Sequence, residues 1–179
     1  MGLLAMLGKV IKREEPVRQA VVEEVEDPVS LLRRKVLCAL EYTGNYQEVL
    51  MESGKIIEVE KMQKFAKDRV RDALVHAGFA VPPLGEAKNI WGNACFDAVG
   101  VNSKYLVVGE VKWGEEVTEK EIESLMERAR EAEKRKRGRE LVLFVASLRK
   151  LREEVKQSVQ RYPKSFVVSF EEVRPYEIQ

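Results

Sequence analysis

Asp97, Glu110 and Lys112 are the residues of this sequence whose types and spacing suit bond-breaking chemistry. Asp97 stands within Phe96-Asp97-Ala98-Val99-Gly100, and Glu110 and Lys112 close the run Val107-Val108-Gly109-Glu110-Val111-Lys112-Trp113. Two apolar runs joined by a short polar segment, each carrying an acid, bring two carboxylates and one ammonium to the same end of a sheet. Carboxylate oxygens suit a hard divalent cation such as Mg2+ or Mn2+. A cation held in this way activates water against a phosphodiester. The chemistry to expect is therefore metal-dependent phosphodiester hydrolysis.

Glu-x-Lys alone carries little weight in a chain that is 34% charged, and it recurs at Glu86-Lys88 and Glu154-Lys156. Glu86 and Lys88 lie in a segment rich in proline and glycine, and Glu154 and Lys156 in a polar helical stretch. Only Glu110 and Lys112 follow a run that reads as a buried strand, Tyr105-Leu106-Val107-Val108. Side chains alternate along a strand, so Glu110 and Lys112 project together. Val101-Asn102-Ser103-Lys104 breaks the apolar pattern and reads as a hairpin loop. An even-numbered loop puts Asp97 on the face of Glu110, near or opposite it; an odd-numbered loop without a bulge separates them. The alternative is a solvent-facing Asp97 with Glu110 and Lys112 as a surface ion pair.

The elements that position these residues follow from periodicity. Leu3, Leu4, Leu7, Val10 and Ile11 give a short amphipathic helix over 3–13 that suits docking on protein. Asp27-Pro28 starts a second helix, with Val29, Leu32, Val36 and Leu40 as its buried stripe and Gly44 as its stop. The longest helical pattern runs from Lys55 to Ala77 and is capped by Gly78. Phe79-Ala80-Val81 reads as a strand, followed by a loop through Trp91-Gly92. After the two acid-bearing strands come a charged helix over Thr118–Arg137, a buried strand over Leu141–Ala146, a helix over Leu148–Arg161 and a strand over Ser165–Ser169. This order predicts an α/β fold: a mixed central sheet flanked by helices, with residues 1–50 as a helical N-terminal extension and 51–179 as the main domain.

Bulk properties exclude several classes. The net charge is +1, so any nucleic-acid contact must come from a local patch. A single histidine, His76, sits at a helix end where a cation suits the dipole, and it leaves no histidine-rich zinc site or Ser-His-Asp triad. Cys38 and Cys95 show no metal or disulfide spacing; both are expected to pack as small apolar groups in a reducing, cytoplasmic setting. No apolar run reaches membrane-spanning length. The abundance of Glu, Lys and Arg over Asn and Gln hints at a thermophilic source.

Motif and element order over residues 55–146 resemble the PD-(D/E)XK nuclease superfamily, which includes restriction enzymes, archaeal Holliday-junction resolvases and nuclease domains attached to archaeal ATPases. Gly109-Glu110-Val111-Lys112-Trp113 looks most like the ATPase-associated and restriction-type versions. The resemblance implies a restriction-endonuclease-like αβββαβ core and a metal-dependent endonuclease acting on DNA; a homodimer would suit cutting two strands. It implies Asp97 and Glu110 as ligands of Mg2+ or Mn2+, the backbone carbonyl of Val111 as a further ligand, and Lys112 as the residue that orients or deprotonates water. The family's first-helix glutamate is missing beside Phe65, which is followed by Ala66. Glu58, at the edge of the apolar stripe, is the geometric candidate for it, Asp68 and Glu60 facing away. Arg135, Lys136, Arg137 and Arg139 form the most basic run, a candidate phosphate contact or simply the balance to an acidic helix start. Trp113 is a candidate to stack on a splayed base, with core packing as the alternative. The competing functions are a non-cleaving, nuclease-like module that binds nucleic acid or a protein partner, and an unrelated α/β interaction domain with the amphipathic N-terminus as its contact surface.

Overall fold

A computed structural model describes residues 26–91 and 96–172. The expected 3–13 helix and Cys95 lie outside the described residues. Helix α1 (Pro28–Glu52) begins where its sequence says: the Asp27 carboxylate accepts from the amides of Val29 (3.1 Å) and Ser30 (3.2 Å), with Pro28 in the first turn. It does not stop at Gly44. It continues to Glu52 and ends near Ser53 and Gly54, the latter at φ +77°. Gly44 faces the ring of Phe170, where an added Cβ would meet a ring carbon at 2.3 Å. Close packing, not helix termination, explains that glycine.

Helix α2 (Val59–His76) buries Met62, Ala66, Val70, Ala73 and Leu74 on one face. It is shorter at its start than the pattern from Lys55 suggests, and Gly78 follows it at φ +94°. Phe65 packs between the helices on Tyr42 (5.9 Å between centroids) and Tyr46 (5.0 Å). The expected strand at residues 79–81 is a single antiparallel bridge, Ala80 to Val101. The expected loop beyond it is a two-turn helix, α3 (Leu84–Trp91).

Strands β1 (Ala98–Val101) and β2 (Tyr105–Lys112) form the hairpin, with Val101 opposite Leu106 and Ala98 opposite Gly109. The Asn102 side chain shapes the turn, its Oδ1 accepting from the amides of Lys104 and Tyr105. Helix α4 (Glu119–Lys134), capped by Thr118, crosses to β3 (Glu140–Ser147), which pairs parallel to β2. A short α5 (Glu153–Val159), half the length its pattern suggested, leads to β4 (Ser165–Ser169), parallel to β3. The described sheet is thus four-stranded, mixed and open, in the order β1-β2-β3-β4.

Each face of this sheet carries its own core. Tyr105, Val107, Val111, Val142 and Phe144 pack under α1 and α2, while Leu106, Val108, Leu141, Leu143 and Val145 pack under α4 and α5. Burial on both faces is why β2 and β3 read as nearly continuous apolar runs. The buried stripe of α1 joins the first of these cores. Cys38 is exposed, contrary to the packing expected for it. Among the described residues no helix is long and apolar enough to cross a membrane.

Candidate active site

The hairpin register decides where the acids stand. Ala98 pairs with Gly109, so Asp97, one step before β1, falls opposite Glu110 at the end of the sheet. Glu110 and Lys112 share the face covered by α4 and line one cleft there, of about 410 Å3. Asp97 reaches around the strand end: its Oδ2 accepts from the Val111 amide (2.9 Å) and its Oδ1 pairs with Lys67 Nζ on α2 (3.2 Å). Arg71 Nε adds a bond to the Asp97 carbonyl (3.0 Å). Asp97, Glu110, Val111 and Lys112 are therefore brought together where the parallel strands end, the edge at which open α/β sheets commonly bind ligands.

The electrostatics of this corner are those of two carboxyl groups forced close. The Glu110 carboxyl is pushed up to about 7, first by burial, then by the charge of Asp97 and a hydrogen bond between the two side chains. Arg128 on α4 opposes that rise through an ion pair with Glu110 Oε1 (2.5 Å). Lys112 Nζ pairs with Glu121 Oε2, also on α4 (2.9 Å). The Val111 carbonyl accepts from Gln63 Nε2 (2.5 Å), and Gln63 Oε1 accepts from the Trp113 amide (2.6 Å). One α2 side chain thus continues the ladder beyond the point where β1 ends.

The remaining expected residues fall elsewhere. Glu58 precedes α2, is exposed, and pairs with Lys61; it lines neither cleft at the sheet end. Glu60, which the helical wheel turned away, lines a second cleft of about 550 Å3 on the α2 side, together with Gln63, Lys64, Lys67, Arg71 and Lys112. Trp113 is buried, with its Nε1 donating to Gln47 Oε1 (2.8 Å) and its ring beside Phe170, so it offers no face to a base. Arg135 caps α4, Lys136 pairs with Glu133, Arg137 adopts φ 51° in the turn, and Arg139 Nε donates to the Asn102 carbonyl (2.7 Å). That basic run lies at the opposite end of the sheet, roughly 20 Å from the acids at 3.3 Å per strand residue.

Sequence reasoning missed Gln63, Lys67, Arg71, Glu121 and Arg128. For the α4 pair a signal existed: Glu121 and Arg128 stand two turns apart beside the buried stripe of Ile122, Leu125 and Ala129. The α2 partners had no such signal, because only tertiary packing brings them to the strand end.

The donor set fits a hard cation. Among the described residues no three acidic, histidine or cysteine side chains converge, so an ion here would rest on Asp97, Glu110 and the Val111 carbonyl, with water completing its shell. Comparisons with protein-family models, with curated proteins and with solved structures gave no match.

Proposed function

We propose that this protein is a metal-dependent nuclease that hydrolyses phosphodiester bonds, acting as an endonuclease on DNA, with its active site at the sheet end. The observation that carries the reading is the register that sets Asp97 opposite Glu110 with Lys112 on the same face as Glu110. The order α2, Ala80 bridge, α3, β1, β2, α4 and β3 is compatible with a restriction-endonuclease-like αβββαβ core in which the bridge stands for the first strand and α3 is an insertion. Asp97, Glu110 and the Val111 carbonyl would hold Mg2+ or Mn2+. Such an ion, when bound, lowers the pKa of a water molecule and offsets charge on the phosphate under attack. Lys112 stands between the two clefts as a fixed cation that orients the nucleophile, and Lys67, paired with Asp97 Oδ1, holds that carboxylate in place. The clefts on either side of Lys112 give a strand two walls to follow, with Lys64, Lys67 and Arg71 on one and Lys120 and Arg128 on the other.

A second reading has its own support. Asp97, Glu110, Lys112 and the Val111 carbonyl each already have a protein partner, as a nuclease-like module without cleavage would. Labelled duplex, single-stranded, flap and junction DNA, incubated with Mg2+, Mn2+ or EDTA, separates the two. Cutting that needs metal and falls about 100-fold or more in Lys112→Ala and Asp97→Asn is the expected result. A folded wild-type protein that binds these DNAs but cuts none of them would replace the nuclease with the silent module.

A further inference from the structure

Helix α4 sets a charged partner against each of two neighbouring residues on β2. Arg128 meets Glu110, and Glu121 meets Lys112. The two contacts differ in what they do to the proposed metal site. Glu121 pairs with the lysine and accepts from the Thr118 hydroxyl (3.3 Å), so it leaves the acids alone. Arg128 puts a full positive charge on the carboxylate that an ion would need, and it sits over the ring of Phe96 (5.2 Å from the centroid), the residue next to Asp97. Its side chain is 24% exposed and that of Glu110 26%, so solvent screens the pair only in part. Arg128 also lines the cleft that opens beside Glu110 and Lys112.

Two cations cannot share one carboxylate at low cost. A divalent ion bound to Glu110 repels a guanidinium at hydrogen-bond distance from the same group, and the closer the approach the larger the penalty. The Phe96 ring holds the guanidinium through its π face and favours no single direction for its donors. Loss of the Glu110 contact would still leave the guanidinium against the Phe96 ring at the cleft wall. There its planar, fork-like donors suit a phosphate.

We propose that Arg128 is a resident counter-cation that competes with the divalent metal for Glu110 and, once displaced, contacts the phosphate of the bound strand. This rests on the metal-dependent reading above. It assigns Arg128 two effects of opposite sign: weaker metal binding in the free protein and stronger substrate contact in the loaded one.

The test uses the full chain and Mn2+ alone, followed by electron paramagnetic resonance at pH 8 without nucleic acid. Arg128→Met, which keeps the stem and removes the charge, should bind Mn2+ about five-fold tighter than wild type, the scale of one ion pair. Arg128→Lys should fall between them, and Glu121→Gln should match wild type. At saturating Mn2+, Arg128→Met should show a KM for DNA raised several-fold despite its tighter metal. Unchanged or weaker Mn2+ binding in Arg128→Met, with wild type binding normally, overturns the competition and leaves the nuclease reading intact. Tighter Mn2+ with an unaltered KM overturns the phosphate contact. Absence of Mn2+ binding in every protein overturns the metal site itself. If the methionine variant does not fold, the wild-type Arg128 guanidinium resonances serve instead. They should shift and exchange faster on adding Mg2+, and no change would sink the proposal.

Discussion

At the scale of single residues, Glu110 is the most perturbed group of the site. Its carboxyl is raised from 4.5 to about 7, with burial as the first cause and Asp97 as the second. The sign of the consequence is fixed. Between pH 4.5 and 7 the folded protein holds a proton on Glu110 that the unfolded chain has released. Stability from this group is fully present below 4.5 and is lost as pH rises through about 7. The whole window is worth roughly 3 kcal/mol at 1.36 kcal/mol per unit. Urea midpoints measured across this range should therefore fall with rising pH in wild type and stay flatter in Glu110→Gln. Identical slopes in the two proteins would show that Glu110 titrates normally. The residue scale also marks what the sequence could carry. Asp97, Glu110 and Lys112 were legible because strand alternation and an even hairpin loop are local rules. Arg128, Lys67 and Gln63 were not, since each reaches the site from a helix whose docking no local pattern encodes.

At the scale of elements, sequence periodicity located most helices and strands but misread their ends. Gly44 is the clearest case. Glycine is the commonest residue after a helix, and a stop there was the natural local inference. What the local pattern lacked was Phe170, whose ring occupies the space a side chain would need. In an exposed helix interior Gly→Ala gains about 1 kcal/mol. Here Gly44→Ala should instead destabilise by about 2 kcal/mol, because the ring must move from beside Trp113 to admit a Cβ. Thermal or urea unfolding of that variant reads the sign directly, and a more stable protein would refute the packing role. The α3 helix was missed for the opposite reason. Pro82, Pro83 and Gly85 read as loop, yet proline is well tolerated just before a helix starts.

At the scale of the whole molecule, charge is divided between the two ends of the sheet. The end with the acids has lysines and arginines on both cleft walls, while the basic run after α4 sits at the far end and is tied to its own glutamate and to the hairpin turn. A net charge of +1 hides this division. If nucleic acid binds at the acidic end, Lys64→Ala and Lys120→Ala should each weaken DNA binding about two- to five-fold and reduce the salt dependence by about one ion. Lys136→Ala with Arg137→Ala should leave both unchanged. Binding titrations at several salt concentrations check this, and the reverse ranking would move the interface to the other end of the molecule.

The seat of Phe170 against Gly44 has a consequence for how the chain is made. During translation α1 emerges early and can pair with α2 soon afterwards, through Tyr42, Tyr46 and Phe65. The groove at Gly44, however, stays open until β4 and Phe170 have left the ribosome, on the order of ten seconds later at ordinary elongation rates. Over that interval, paired α1 and α2 would leave the notch at Gly44 unfilled, so the last described strand to emerge is also the one that completes the first helix's packing.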